Sequence, residues 1–226
     1  MKKRWWWVIG SVVAVAVVVV LVGPWFYAKF LHGDQPEALG LSDSAAPADA
    51  SVEIDGAWTV GTGSKAGYEV WETLQGQRVF VRGQTEKVSG NATIESGKLT
   101  AGTVDVSVAA IATDDGRRDF QFSNTVMESA KFPNATFTVT DPVDLSALSA
   151  DGAILTVPIS GELTLKSETR PVTADFKIRR AGEGIEAAGA IDVTWSDYQI
   201  EKPTMFANII VEDAGQIQFS VVLSKQ

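Results

Sequence analysis

Alternation between apolar and polar side chains runs through most of this chain after residue 52, and it restricts the fold more than any other feature. In the segment 153–165 every second position is apolar or glycine: Leu155, Val157, Ile159, Gly161, Leu163 and Leu165. A period of two is typical of strands with one buried face, because successive side chains point to opposite sides of a sheet. The segments 170–179, 185–195 and 216–223 repeat the pattern.

Shorter alternating segments precede these four. They are residues 56–60, 66–72, 77–84, 91–95, 102–109 and 134–140. The rhythm is interrupted at residues 114–129, where Asp114 or Asp115 is suited to accept from the free N–H groups of a helix start. Phe122, Val126 and Met127 then share one helical face, and Phe132-Pro133 ends the segment. The pattern therefore predicts one short helical crossover within a mainly β domain.

Roughly nine strands with one apolar face need a common core, and sequential antiparallel strands can provide it by closing into a barrel. The sequence therefore predicts a closed antiparallel β-barrel. An interior of about eight strands can be filled by side chains or can hold one small ligand. Small residues on the inward face (Gly161, Ala174, Ala187 and Gly189) indicate either an elongated hollow or bend points in coiled strands.

The N-terminal region has a different character. Residues 5–22, WWWVIGSVVAVAVVVVLV, contain no charge, and as a helix they would span roughly 27 Å, close to the hydrocarbon thickness of a bilayer. Three basic residues precede this run, which favours a cytoplasmic N-terminus and a C-terminal domain in the periplasm or outside the cell. We expect a single transmembrane signal anchor in the cell membrane within residues 1–30. A cleaved signal peptide is the alternative.

Residues 31–52 are rich in Ala, Ser, Asp and Pro and are predicted to form a flexible extracytoplasmic linker, which leaves residues 53–226 for the barrel domain. The chain has a formal net charge of −9, and residues 1–32 contribute four positive charges and no negative ones, so the remainder carries −13. Such an acidic domain is repelled by phosphate backbones, so no nucleic-acid partner is expected.

The residue inventory excludes several kinds of catalytic site. The chain has no Cys, and its only His is His32, beside the apolar run. Serine triads, Cys-His dyads and His-based metal sites are therefore excluded from the predicted barrel. A carboxylate hydrolase using Asp114, Asp115 or Asp119 stays open, although these residues are also suited to structural roles at the helix start.

Four motifs resemble the YceI-like family in the same order. The segment RRDFQFSNTVMESAKFPNATFTV (residues 117–139) has the family's Arg-Asp pair, its short helix and its Lys-Phe-Pro-x-x-Thr-Phe sequence leading into a strand. GELTLKSETRPVTADFKI (residues 161–178) is similar to its hairpin, and AWTV with GYEV and VRGQTEKVSGNATI (residues 81–94) match further parts. The chain lacks the family's early His near residues 64–70, and Ser167 stands where Gly is common.

The resemblance implies a lipocalin-like barrel that holds a polyisoprenoid or similar amphiphile in its lumen. It implies no enzyme activity and no cofactor other than a bound isoprenoid-type lipid or quinone. The candidates for lining the lumen are residues at the alternate, inward-facing positions of their strands: Val106, Phe137, Leu155, Val157, Ala174, Phe176, Gly189, Ile191, Val193 and Trp195. Arg118 is a candidate contact for a lipid head group. The alternative is a non-catalytic structural or stress-response module with a filled core that binds a protein partner. The oligomeric state stays open.

Overall fold

A computed structural model describes residues 35–74, 76–203 and 209–226 of the 226-residue chain, together with Val22. These residues form eleven strands and several short helical turns. The strands are β1 (Gly56–Val60), β2 (Lys65–Leu74), β3 (Gln77–Thr85), β4 (Val88–Glu95), β5 (Lys98–Ser107), β6 (Asn134–Val139), β7 (Val143–Asp144), β8 (Leu155–Leu165), β9 (Glu168–Ala181), β10 (Gly184–Thr194) and β11 (Ile209–Lys225). The prediction of a mainly β domain is confirmed.

Eight of these strands close into an antiparallel barrel. Their order around the ring is β1-β4-β5-β6-β8-β9-β10-β11, and β11 pairs with β1 to complete it. The inward parity follows the sequence pattern, since Ile159, Leu163 and Ile191 are all buried in one apolar core. The two-residue strand β7 pairs with the start of β5.

The hairpin of β2 and β3 extends this barrel on one side. Strand β11 is long enough to pair with β2 along residues 209–220 and then with β1 along residues 223–225. The buried Ser64 lies where β11 changes partner, and its hydroxyl accepts from the Val222 N–H and donates to the Gly61 carbonyl. Because this side chain bonds the Val222 N–H, and the Gly61 N–H bonds the Val222 carbonyl, both backbone groups of Val222 keep a partner at the switch between β2 and β1.

The predicted crossover is helical, as the Asp-rich start indicated. It consists of 3₁₀ turn Val108–Ala110, helix α1 (Gly116–Gln121) and a π-helical turn (Phe122–Val126). Asp115 caps α1, because its carboxylate accepts from the Arg117 N–H at 2.8 Å. Two hydrogen bonds between Gln84 of β3 and Ala112 attach this crossover to the edge of the hairpin.

Replacing Asp115 with alanine should lower the free energy of unfolding by about 1 kcal/mol, the usual cost of losing an N-cap. The hydrogen bond from the Arg117 N–H holds the pKa of Asp115 below its ordinary value of 3.8. A depressed pKa stabilises the fold above pH 3.8, and this contribution is lost as the pH falls further. Urea unfolding at pH 7 and pH 2.5 should therefore show a larger difference between wild type and variant at pH 7. An equal difference at both pH values would contradict this role.

Residues 35–52 lie across the outer surface of the barrel, whereas composition predicts a flexible linker. Hydrogen bonds connect this N-terminal strap to successive strands: Gln35 to Arg82 on β3, Leu39 to Gln218 on β11, Ser42 to Glu186 on β10, and Asp49 to Gly182 after β9. The outward-facing Ala188 and Gln218 are consequently buried. The strap is thus part of the folded domain.

The predicted transmembrane run at residues 5–22 lies outside the described residues, apart from Val22. Within the described part of the chain, no helix combines the length and apolarity that a membrane crossing requires.

Two inward-facing glycines make room for aromatic rings. A Cβ atom on Gly161 would lie 2.6 Å from the ring of Phe137, and one on Gly189 would lie 2.7 Å from the ring of Phe176. Both distances are well inside van der Waals contact. These small residues therefore do not produce a single continuous hollow, since neighbouring rings occupy the space that they leave.

Candidate functional site

Two apolar cavities lie inside the described part of the barrel. The upper cavity, beside α1 and the π-turn, has a volume of about 110 Å³. Its wall includes Val70, Phe122, Met127 and Leu163, and it reaches the surface at the exposed residues Glu201 and Lys202. The sequence predicted that Phe122 and Met127 share one helical face, and in the structure that face forms part of this wall.

The lower cavity lies at the other end of the lumen, against the β4–β5 hairpin and Leu145, and has a volume of about 90 Å³. Its wall includes Ile94, Leu99, Ile178 and Ile185, all of which are buried. Each cavity is smaller than the cavity of about 150 Å³ that is known to admit benzene in another protein. A small apolar group therefore fits either cavity, whereas a longer chain has to move side chains aside.

Phe219 separates the two cavities and lines both of them. Its ring centroid lies 6.0 Å from that of Phe137, which is in turn 6.0 Å from that of Phe176. These three rings come from β11, β6 and β9, so they meet across the barrel and form a partition. Phe219 therefore lies between the two cavities and contributes to the wall of each.

A group of charged residues lies at one side of the upper cavity. The Arg118 guanidinium donates to Asp114 at 2.6 Å, and its Nε lies 3.9 Å from a Glu72 oxygen. All three side chains are largely buried. Burial alone would lower the pKa of Arg118, but the carboxylates of Glu72 and Asp114 outweigh that effect and raise it. The cation predicted to contact a head group therefore lies in the cavity wall with its charge already balanced.

The acidic residues of the hydrolase alternative have structural roles. Asp114 pairs with Arg118, and Asp115 caps α1. Asp119 accepts from both the N–H and the hydroxyl of Thr113, at 2.8 Å and 2.7 Å. These contacts all lie within the crossover, where they hold the helix start and the preceding turn together, and they favour the structural interpretation of the cluster.

Tyr68 and Gln121 are uncharged polar residues that also line the upper cavity. Tyr68 is buried and stacks on Phe122 with a centroid distance of 4.7 Å, and burial raises the pKa of its phenol, which therefore stays protonated. Gln121 is the last residue of α1, and its buried amide nitrogen has no hydrogen-bond partner within the described part of the chain. Buried polar atoms without a partner are rare in folded proteins, so this nitrogen marks a place where an acceptor is missing.

The predicted lumen residues fall into three groups. Val106 and Trp195 line the upper cavity, while Phe137 and Phe176 line the lower one. A second group, Ile191 and Val193, is buried in the core, and Gly189 lies beneath Phe176. The remaining candidates, Leu155, Val157 and Ala174, are partly buried and pack against that core.

The sequence reasoning left Tyr68, Glu72 and Gln121 out of the candidate lumen. The alternation along β2 could have identified the first two, because Tyr68, Val70 and Glu72 occupy every second position and therefore share one face of the strand. No comparable signal existed for Gln121. Its place depends on how α1 passes into the π-turn, which sequence patterns do not reveal.

Large apolar side chains are exposed on the outer surface around the upper cavity. Phe120 is 70% exposed, Ile210 65% and Trp71 37%, and each directly precedes a cavity-lining residue in the sequence. The Trp71 ring packs edge-on against Phe80 at 4.6 Å. We call Trp71, Phe120 and Ile210 the outer rim.

Comparisons with known proteins agree with this architecture. The YceI-like domain model matches residues 46–223, and no curated protein matches the chain. A polyisoprenoid binding domain from Saccharophagus degradans, implicated in plant cell wall breakdown, aligns with a TM-score of 0.63 at 17% identity, over 75% of this chain and 98% of that domain. BcnA from Burkholderia cenocepacia aligns with a TM-score of 0.54 at 19% identity, over 70% of this chain and 95% of BcnA.

At these identities the two solved structures establish a shared fold. The family model begins inside the strap, at residue 46, and ends in the last strand. It therefore spans the whole barrel and most of the chain. The resemblance carried by the four sequence motifs is confirmed, and this chain belongs to the YceI-like family.

Proposed function

We propose that this chain is a membrane-tethered, extracytoplasmic protein that holds the tail of an isoprenoid-type lipid in its lumen. The observation that carries the proposal is the pair of apolar cavities arranged end to end within one closed barrel. Transfer of apolar surface from water contributes about 25 cal/mol per Å², so a prenyl tail can bind tightly with few polar contacts. The Saccharophagus structure is described as a polyisoprenoid binding domain, which supports the same assignment here.

The tail would enter from the upper cavity, which reaches the surface, and would continue past Phe219 into the lower one. Each cavity is too small for a long tail in the present arrangement. Binding therefore requires Phe219 to leave the partition. Side chains change rotamer readily on binding, whereas the closed backbone ladder of the barrel resists expansion.

Three observations support attachment to a membrane. The apolar run at residues 5–22 follows three basic residues, as in a signal anchor. The strap holds Gln35 on β3, so residues 23–34 allow at most about 45 Å between the run and the barrel. The outer rim exposes aromatic and aliphatic side chains near the upper cavity, and tryptophan favours the membrane interface.

The lipid part of the proposal is tested on the full chain, purified from membranes in a mild detergent and studied by native mass spectrometry. We expect one prenyl lipid per chain, identified after extraction with organic solvent. The matched control carries residues 1–34 on an unrelated soluble domain, which separates lipid in the barrel from lipid around the anchor. If both proteins carry the same lipids in the same amounts, lipid binding by the barrel is refuted, and the filled-core module becomes the better interpretation.

The location is tested separately by adding protease to intact spheroplasts. We expect the protease to digest the barrel while the spheroplasts are still intact. Without protease, membrane pellets should retain the chain after a carbonate wash. Protection of the barrel until the cells are lysed would contradict the extracytoplasmic location. It would leave the lipid result unaffected.

A further inference from the structure

We infer that the upper cavity selects an uncharged head group whose carbonyl or hydroxyl oxygen accepts a hydrogen bond from Gln121, and that it discriminates against phosphate-headed lipids. The inference rests on the proposed function, because it assigns the head group of the lipid that the lumen would hold. Two independent observations carry it.

The first observation is the buried amide nitrogen of Gln121. Gln121 lines the upper cavity, and this nitrogen has no hydrogen-bond partner among the described residues. A buried donor without an acceptor costs free energy, so folded proteins rarely retain one unless a ligand or water completes it. An oxygen atom placed in this cavity would supply the missing acceptor. The neutral phenol of Tyr68 lines the same cavity as a second uncharged polar group.

The second observation is the charge balance of the cavity wall. The lining contains two acidic residues, Glu72 and Glu201, and two basic residues, Arg118 and Lys202. Asp114 adds a further carboxylate on Arg118. Phosphate recognition depends on cations that are free to form charge-assisted bonds with it. Here a diphosphate would have to compete with Asp114 for Arg118 and would also face the carboxylate of Glu72.

The test compares ligands that share one short tail and differ in the head: geraniol, geranyl phosphate and geranyl diphosphate. Binding to the full chain in phospholipid nanodiscs is measured by calorimetry, with empty nanodiscs as the blank. We expect geraniol to bind at least about tenfold more tightly than the diphosphate. We expect Gln121→Met, which keeps the side-chain volume, to lower the affinity for geraniol about fivefold and to leave the affinity for the diphosphate unchanged.

Two further variants sharpen the test. Asp114→Asn removes one of the carboxylates that neutralise Arg118. It should therefore increase the affinity for geranyl diphosphate about tenfold without increasing the affinity for geraniol. Gln216→Met is the matched control, because Gln216 lies on the outer face of β11 and donates to Asp192. This control variant should change the affinity for neither ligand. Circular dichroism of each variant confirms that the barrel is folded.

The outcomes separate this inference from the proposed function. If geraniol and the diphosphate bind equally well, or if Gln121→Met weakens both to the same extent, the head-group assignment is overturned while tail binding stands. Tighter binding of the diphosphate by the wild-type chain overturns it as well. If none of the geranyl ligands binds, the proposed function itself fails.

Discussion

Replacing Phe219 with alanine is expected to lower the free energy of unfolding by about 3–5 kcal/mol, the usual cost of truncating a buried phenylalanine. Phe219 is buried and is the residue that lines both cavities. Loss of its ring therefore removes the partition as well as the packing against Phe137. Chemical unfolding in urea, followed by tryptophan fluorescence, to which the buried Trp58 and Trp195 contribute, measures the stability change.

The same variant should change which tails bind. Under the proposed function, a long prenyl tail would have to displace the Phe219 ring in the wild-type barrel, whereas the variant would leave the path open. The ratio of affinities for a long and a short prenyl alcohol should therefore rise in the variant. Val221→Ala is the matched control, since Val221 lines the lower cavity alone and its truncation should cost about 2 kcal/mol. If both variants leave tail preference unchanged, Phe219 does not govern passage between the cavities.

Replacing Arg118 with alanine should destabilise the barrel by about 3 kcal/mol. The variant leaves the largely buried carboxylates of Glu72 and Asp114 without their shared cation. Removing one partner of a buried ion pair is costly because the remaining charges are neither solvated nor neutralised. The change in unfolding free energy from urea titration at pH 7 gives the measurement.

Arg117 provides a matched control for this prediction. It is adjacent in α1, but its side chain is 95% exposed, compared with 20% for Arg118. Arg117→Ala should therefore change stability by no more than about 0.5 kcal/mol. A triple variant that removes every charge of the cluster (E72Q, D114N and R118M) should recover most of the loss. Equal effects of Arg117→Ala and Arg118→Ala would show that the cluster is solvated.

Much of the barrel could be predicted from parity alone. The alternation in β8 and β10 correctly assigned inward side chains such as Leu163 and Ile191, because a regular strand keeps its phase. The start of β11 was predicted seven residues too late, at Gln216 instead of Ile209. A bulge between Val211 and Gly215 shifts the phase there, so the two halves of the strand do not share one alternating pattern.

The divided lumen could not be predicted, because it depends on register between strands far apart in the sequence. Parity places Phe137, Phe176 and Phe219 inward, but only the pairing of their strands brings the three rings together. The strap was missed for a related reason. Its composition is that of a linker, yet its backbone bonds to polar side chains more than 130 residues away, such as Gln218 and Arg180.

The pairing of the first strand with the last has a consequence for how the chain reaches its native state. Trp58 pairs with Lys225, and Val60 with Leu223, so more than 160 residues separate the partners that close the ring. Folding rates fall as the sequence separation of native contacts rises, because a long loop must close before its contacts stabilise it. The barrel therefore cannot close during synthesis until its final strand has emerged. Until then, the earlier strands expose open edges and an apolar interior that chaperones would have to cover.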